Sequence, residues 1–125
     1  MNAQVPSDQY YIVSVNHTKR EDRYITFWRC DDRGYAYPLS WSGKYAGEHV
    51  RAHLGYYNSG CATIAVSCEA VDPLAVDPEP GHIDNDAGPV VLNNKENWKV
   101  LLANVIHEPG YKPAPQYKGA RRKAA

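Results

Sequence analysis

Apolar and polar positions alternate most clearly near the start of the chain. Over residues 9–17 (QYYIVSVNH), Tyr11, Val13 and Val15 share one parity, and Tyr10 and Ile12 share the other. Period-two spacing of this kind predicts a strand. Residues 23–30 (RYITFWRC) repeat it, with Ile25 and Phe27 on one face and Tyr24, Thr26 and Trp28 on the other. The charged connection 18–22 joins the two runs and predicts an antiparallel hairpin. Asp31-Asp32-Arg33-Gly34 is a turn, Gly supplying positive φ. Residues 35–37 add a short third strand, which Pro38 confines to an edge or ends. Both strands of the hairpin carry apolar residues on both faces. Either both faces are covered, or one is an interface.

The period changes after Gly43. In residues 44–54 (KYAGEHVRAHL), Ala46, Val50 and Leu54 recur every fourth position and predict a helix. Gly47 weakens it by about 1 kcal/mol relative to Ala. Gly55 stands where a C-terminal glycine cap belongs. Residues 61–68 (CATIAVSC) predict a strand in which Ile64 and Val66 alternate with Thr63 and Ala65. Residues 69–89 hold four Pro, two Gly and five acidic groups after Glu69, the composition of a long loop. A short helical turn is expected within 70–76, and a last strand at 90–92. Asn93, with Glu96 three residues on, resembles a capping box. Residues 95–106 carry Trp98, Leu101, Leu102, Val105 and Ile106 on one helical stripe, and Pro109-Gly110 stops the helix.

This order predicts a single α+β domain over 1–106: a small antiparallel sheet of four to five strands with two helices packed on one face. Residues 107–125 lack an apolar period and are expected to be a disordered tail.

Composition adds three points. Ten Tyr and three Trp stand against one Phe, and such side chains suit half-buried faces, where the O–H or N–H finds a partner. Formal net charge is zero but unevenly placed: residues 1–106 hold 9 basic and 13 acidic groups, net −4, and residues 107–125 hold 5 and 1, net +4. A basic tail of this size is first a solubilising device, with Lys118, Arg121, Arg122 and Lys123 as its electrostatic residues. Three cysteines, an odd number, follow an N-terminal MNAQVPSDQ that lacks the features of a signal peptide. No apolar run approaches the roughly 18 residues of a membrane span. The expected setting is therefore a reducing cytoplasm with free thiols, and no membrane partner.

Searching for chemistry turns up little. His49 and His53, four apart on the expected helix, point the same way and are the one weak metal candidate. Their string is not the His-Glu-x-x-His of zinc hydrolases. His17, Cys61 and Cys68 have no spacing that completes such a site, and a Cys61 thiol–imidazole pair with His49 or His53 depends on the fold. Asp84-Asn85-Asp86 fails the calcium-loop pattern, since Ala87 occupies the glycine position. No nucleophile elbow, phosphate loop or dinucleotide fingerprint is present. No catalytic residue is identified, and no cofactor is expected.

The aromatic set remains. Tyr24, Trp28, Arg29, Tyr35, Tyr37, Trp41, Tyr56 and Tyr57 are the candidate binding residues, being the residue types that anchor interfaces. They also suit base stacking, with the basic tail supplying charge, although the acidic body works against phosphate binding.

The runs Tyr-Tyr-Ile-Val-Ser-Val-Asn-His-Thr (10–18), Ile-Thr-Phe-Trp (25–28), Pro-Leu-Ser-Trp-Ser-Gly-Lys-Tyr (38–45), Tyr-Tyr-Asn (56–58) and Ile-Ala-Val (64–66) resemble small accessory proteins encoded by tailed phages and prophages. The resemblance covers roughly residues 10–75 and carries over no fold, reaction or catalytic residue. It implies a phage protein made in a bacterial cytoplasm, acting by binding a host or phage macromolecule such as a defence component. The leading expectation is thus a non-enzymatic binding protein, with self-association as a homodimer compatible with it. The alternatives are a nucleic-acid-binding protein and a small metal-dependent hydrolase using His49 and His53.

Overall fold

A computed structural model describes residues 8–83 and 88–120. Its centre is β1 (Gln9–Ser14). Strand β5 (Thr63–Ser67) pairs antiparallel with β1 over five consecutive positions, from Tyr10↔Ser67 to Ser14↔Thr63. Two shorter strands divide the other side of β1. β2 (Phe27–Trp28) meets it at Val13↔Phe27, and β4 (Tyr45–Ala46) at Gln9↔Ala46 and Tyr10↔Tyr45. β3 (Tyr35–Ala36) extends the sheet from β2. The result is the expected α+β class, with a five-stranded antiparallel sheet among the described residues.

Helices cover both faces of this sheet, not one. Tyr11, Val13 and Val15 pack with Ile25, Phe27, Ile64 and Val66 beneath Trp98 and Leu101 of α4 (Lys95–Ala103). Ile12 and Ala65, of opposite parity, pack with Tyr45, with Val50 of α1 (Gly47–Ala52) and with Tyr57 of α2 (Leu54–Tyr57). The reason lies in β1 itself. Apolar residues at both parities leave two faces to be taken out of water, at roughly 25 cal/mol per Å² each.

Several boundaries differ from expectation, each through competition for backbone partners. The expected strand 23–30 is split: its end pairs in the sheet, while Ile25 N–H donates to Val91 O and Asn93 N–H to Arg23 O, both at 2.9 Å. Residues 90–92 accordingly form only single bridges, Val76↔Val90 and Tyr24↔Leu92. The expected helix 44–54 begins as β4 and breaks at His53 (φ −138°), so Gly55 lies inside α2 and Asn58 is the C-cap. The strand expected to reach 68 ends at Ser67, where α3 (Cys68–Val71) starts and a 3-10 turn at Asp72–Leu74 follows. Cys68 and Val71 are buried in the α4-side core, so the start of the long loop is core structure. The helix expected over 95–106 stops at Ala103. Asn104 O and Ile106 N–H instead bond Ser67 N–H and Ala65 O on the outer edge of β5, closing an otherwise unpaired edge.

Asn93 is not the cap of α4. Asn94 is, its side chain accepting from Asn97 N–H at 2.8 Å, and Glu96 closes no capping box with it. The chain from 107 to 120, whose composition suggests disorder, has a defined course. Asn58 Nδ2 donates to His107 O, Tyr111 N–H to Ser59 O, Asn93 Nδ2 to Gln116 O and Arg20 Nη1 to Ala120 O. Tyr117 packs against the α4-side core. Backbone bonding to polar groups of the body replaces the apolar period that composition lacks. Lys118 is exposed on this course, and Arg121, Arg122 and Lys123 lie outside the described residues. Asp84 and Asp86 lie outside them too.

Candidate functional site

The fold divides the eight candidate aromatic and arginine residues between two groups. The turn at Cys30–Asp32 and strand β3 bring Arg29, Tyr35, Tyr37 and Trp41 around a groove of about 460 Å³, whose wall His17, Thr26, Pro38 and His82 complete. Tyr35, Tyr37 and Trp41 keep 44%, 36% and 39% of their surface exposed. For three large aromatics on one wall this is an open apolar patch and not a core remnant.

Each ring in the groove is backed on one side. Arg29 Cζ stands 4.9 Å over the centre of Trp41, a cation–π contact. The same side chain donates through Nε to Tyr35 O at 3.0 Å, which fixes the guanidinium plane. His17 stacks on Tyr35 with centroids 4.2 Å apart. Its Nδ1 lies 3.0 Å from both Ser14 Oγ and Asn16 Oδ1, so that nitrogen is engaged on the protein side. Ser14 is fully buried, which gives this Ser–His contact a structural role. Tyr37 meets Tyr24 edge to face at 5.8 Å, and burial raises the Tyr37 phenol above its usual range, with Asp22 adding to the effect. Arg29 makes no ion pair among the described residues.

Tyr24 stands behind the groove. It is buried, and its hydroxyl accepts from Glu79 N–H at 3.1 Å and meets His82 Nδ1 at 2.9 Å. With one lone pair taken by an N–H, the phenol proton is free to go to Nδ1. This one side chain thereby holds the descending part of the long loop, and His82 with it, beside the groove.

The second group lies on the α1/α2 face. Trp28, Tyr56 and Tyr57 pack edge to face with centroids between 5.0 and 5.9 Å. Tyr57 O–H donates to the Asp32 carboxylate, at 3.0 and 3.2 Å from its two oxygens, so it accepts from His49 Nε2–H at 2.8 Å. Burial first, then the Asp32 contact, push the Tyr57 phenol up to about 12. Tyr45 O–H donates to Arg29 O and accepts from Asp32 N–H, and burial raises its pKa well above the usual range. Asp31 and Asp32 both take φ of +57°, a left-handed turn that short polar side chains tolerate.

His49 and His53 do sit together, ring centres 5.2 Å apart. However, Tyr57 takes up His49 Nε2. Among the described residues no group of three or more His, Cys, Asp or Glu is placed to hold a metal ion. Cys61 is exposed beside Ser59, Cys68 is buried in the other core, and His17 lines the groove. The fold therefore does not assemble them with His49 and His53. Cys30, Lys44 and Asp31 line the cavity by His49 instead.

Sequence reasoning missed His82 and Tyr45, and weighed His17 only as a metal ligand. His17 carries a faint signal, standing at the end of β1 near the turn that delivers β2 and β3. His82 carries none, because only a tertiary bond from Tyr24 places it.

Among the described residues no helix is long and apolar enough to cross a membrane. No protein-family model matches the chain, and no curated protein or solved structure matches it.

Proposed function

We propose that this chain is a non-enzymatic, phage-type accessory binding protein that receives a host or phage macromolecule at the groove of Arg29, Tyr35, Tyr37 and Trp41. The observation that carries the reading is the exposure of three aromatics around one oriented arginine that has no carboxylate partner among the described residues. Trp, Tyr and Arg on a rigid frame are the usual anchors of an interface. Tyr57, Asp32 and His49 satisfy one another, which supports a structural role for that cluster. Ser14, the serine bonded to His17, is fully buried and out of reach of a substrate.

The test is affinity capture with the wild-type chain, Trp41→Ala and Tyr56→Ala. A partner held by the wild type and by Tyr56→Ala, and released by Trp41→Ala, is the expected result. A partner indifferent to Trp41, or turnover of a substrate that depends on His49, overturns the reading.

A further inference from the structure

Building on the groove as the binding surface, we propose that it takes a free mononucleotide, the base lying against Tyr35 and Trp41 and the phosphate on Arg29. The groove's volume of about 460 Å³ falls within the roughly 300–1,000 Å³ range of small-ligand sites. It is built from the two materials a nucleotide needs. The first is aromatic surface: Tyr35 stacks with His17 and Trp41 with Arg29, and both rings line the groove and stay partly exposed. A nucleobase stacks on such rings whatever its identity. The second is a fixed anion donor. Arg29 Nε is held by Tyr35 O and the guanidinium lies over Trp41, and among the described residues the Nη edge has no ion-pair partner. A guanidinium fork suits a phosphate better than a point charge does. His17 adds a ring nitrogen, since its Nδ1 is already bonded on the protein side.

Charge decides between a free nucleotide and a nucleic-acid strand. A strand is held by neutralising several phosphates in a row. Arg29 is the only Lys or Arg lining this groove among the described residues, and residues 1–106 carry net −4. One phosphate is matched there, and a run of them is repelled.

The test is titration of the full chain with AMP and UMP, followed by calorimetry and by the side-chain NMR signals of Trp41, Tyr35 and Tyr37. Adenosine, inorganic phosphate, a single-stranded oligothymidine and an acidic peptide are titrated in parallel. Both nucleotides bind and shift those three residues, and adenosine and phosphate each bind more weakly by tenfold or more. Trp41→Ala lowers AMP affinity about tenfold to a hundredfold, Arg29→Lys lowers it about tenfold, and Tyr56→Ala leaves it unchanged. Trp41 and Arg29 are surface residues, and unchanged far-UV circular dichroism establishes that the variants are folded. Absence of any shift with AMP and UMP at millimolar concentration overturns the proposal, as does tighter, salt-dependent binding of the oligothymidine or preference for the acidic peptide. If nucleotides fail while a macromolecular partner is still released by Trp41→Ala, the nucleotide proposal falls and the binding function stands. If both fail, the groove is not a binding surface.

Discussion

The indole N–H of Trp98 donates to Asn93 Oδ1 at 2.6 Å, and through Asn93 this bond ties α4 to two other segments of the chain. The two N–H groups of Asn93 Nδ2 are shared among Lys19 O, Asp22 O and Gln116 O, at 3.0 to 3.1 Å. One amide thus joins the β1–β2 connection, the start of α4 and the C-terminal segment. Asn93→Ala leaves the buried Trp98 N–H and several carbonyls unsatisfied, and costs about 2–4 kcal/mol in urea unfolding. Asn94→Ala removes only the helix cap and costs about 1 kcal/mol. Equal costs would show that Asn93 is no hub.

Residues 107–120 are expected to behave as part of the fold. Gly60 has φ +94°, and a Cβ there would lie 1.7 Å from Tyr111 O. Gly60→Ala must therefore displace residues 109–111 as well as strain its own backbone. Both Gly60→Ala and truncation after residue 106 should lower the melting temperature by several degrees, whereas truncation after residue 120 should not. The check is thermal denaturation followed by circular dichroism. No loss on truncation after 106 would return this segment to the status of a dispensable tail.

Three phenols should titrate latest. Burial raises Tyr11, Tyr45 and Tyr57, and hydrogen bonds to Asp72 and Asp32 raise Tyr11 and Tyr57 further. Below the usual tyrosine value of 10 both folded and unfolded chains keep these protons, and pH has no effect through them. Above it the unfolded chain ionises while the folded chain holds its protons up to about 12 at Tyr57. Stability therefore falls as pH rises from 10 toward 12. Absorbance at alkaline pH should show a late group of tyrosines that ionise with unfolding. Ionisation of all ten near 10 in a chain still folded would contradict this.

The three thiols should divide two to one. Cys30 and Cys61 are exposed, whereas Cys68 is buried and its pKa is pushed up to about 12, by burial first and then by Asp72. The thiolate is the reactive form. Iodoacetamide at mildly alkaline pH should label Cys30 and Cys61 in the native chain, and Cys68 only after denaturation. Mass spectrometry of the labelled peptides decides it.

Tyr24→Phe should loosen the groove from behind. It removes the acceptor for Glu79 N–H and the partner of His82 while keeping the buried ring. The expected cost is about 1 kcal/mol, with faster amide exchange at residues 79–82 than in the wild type. Unchanged exchange there would mean that the loop is held by other contacts.

The period-two runs at 9–17, 23–30 and 61–68 determined the fold class, because alternation with β-branched and aromatic residues is local information. They also showed two apolar faces on β1, although not that helices would cover both. The eight aromatic and arginine candidates were legible as residue types, but not as two groups. Sequence neighbours such as Trp28 and Arg29 fall in different groups, and the groove draws His82 from a loop more than fifty residues away. Boundaries failed where a backbone had two suitors. Residues 23–25 pair with 91–93, and residues 104–106 leave α4 to satisfy backbone groups on the outer edge of β5. Asn93 makes the same point. Its type and position suggest a cap, and only the tertiary fold places Trp98 and three carbonyls within its reach.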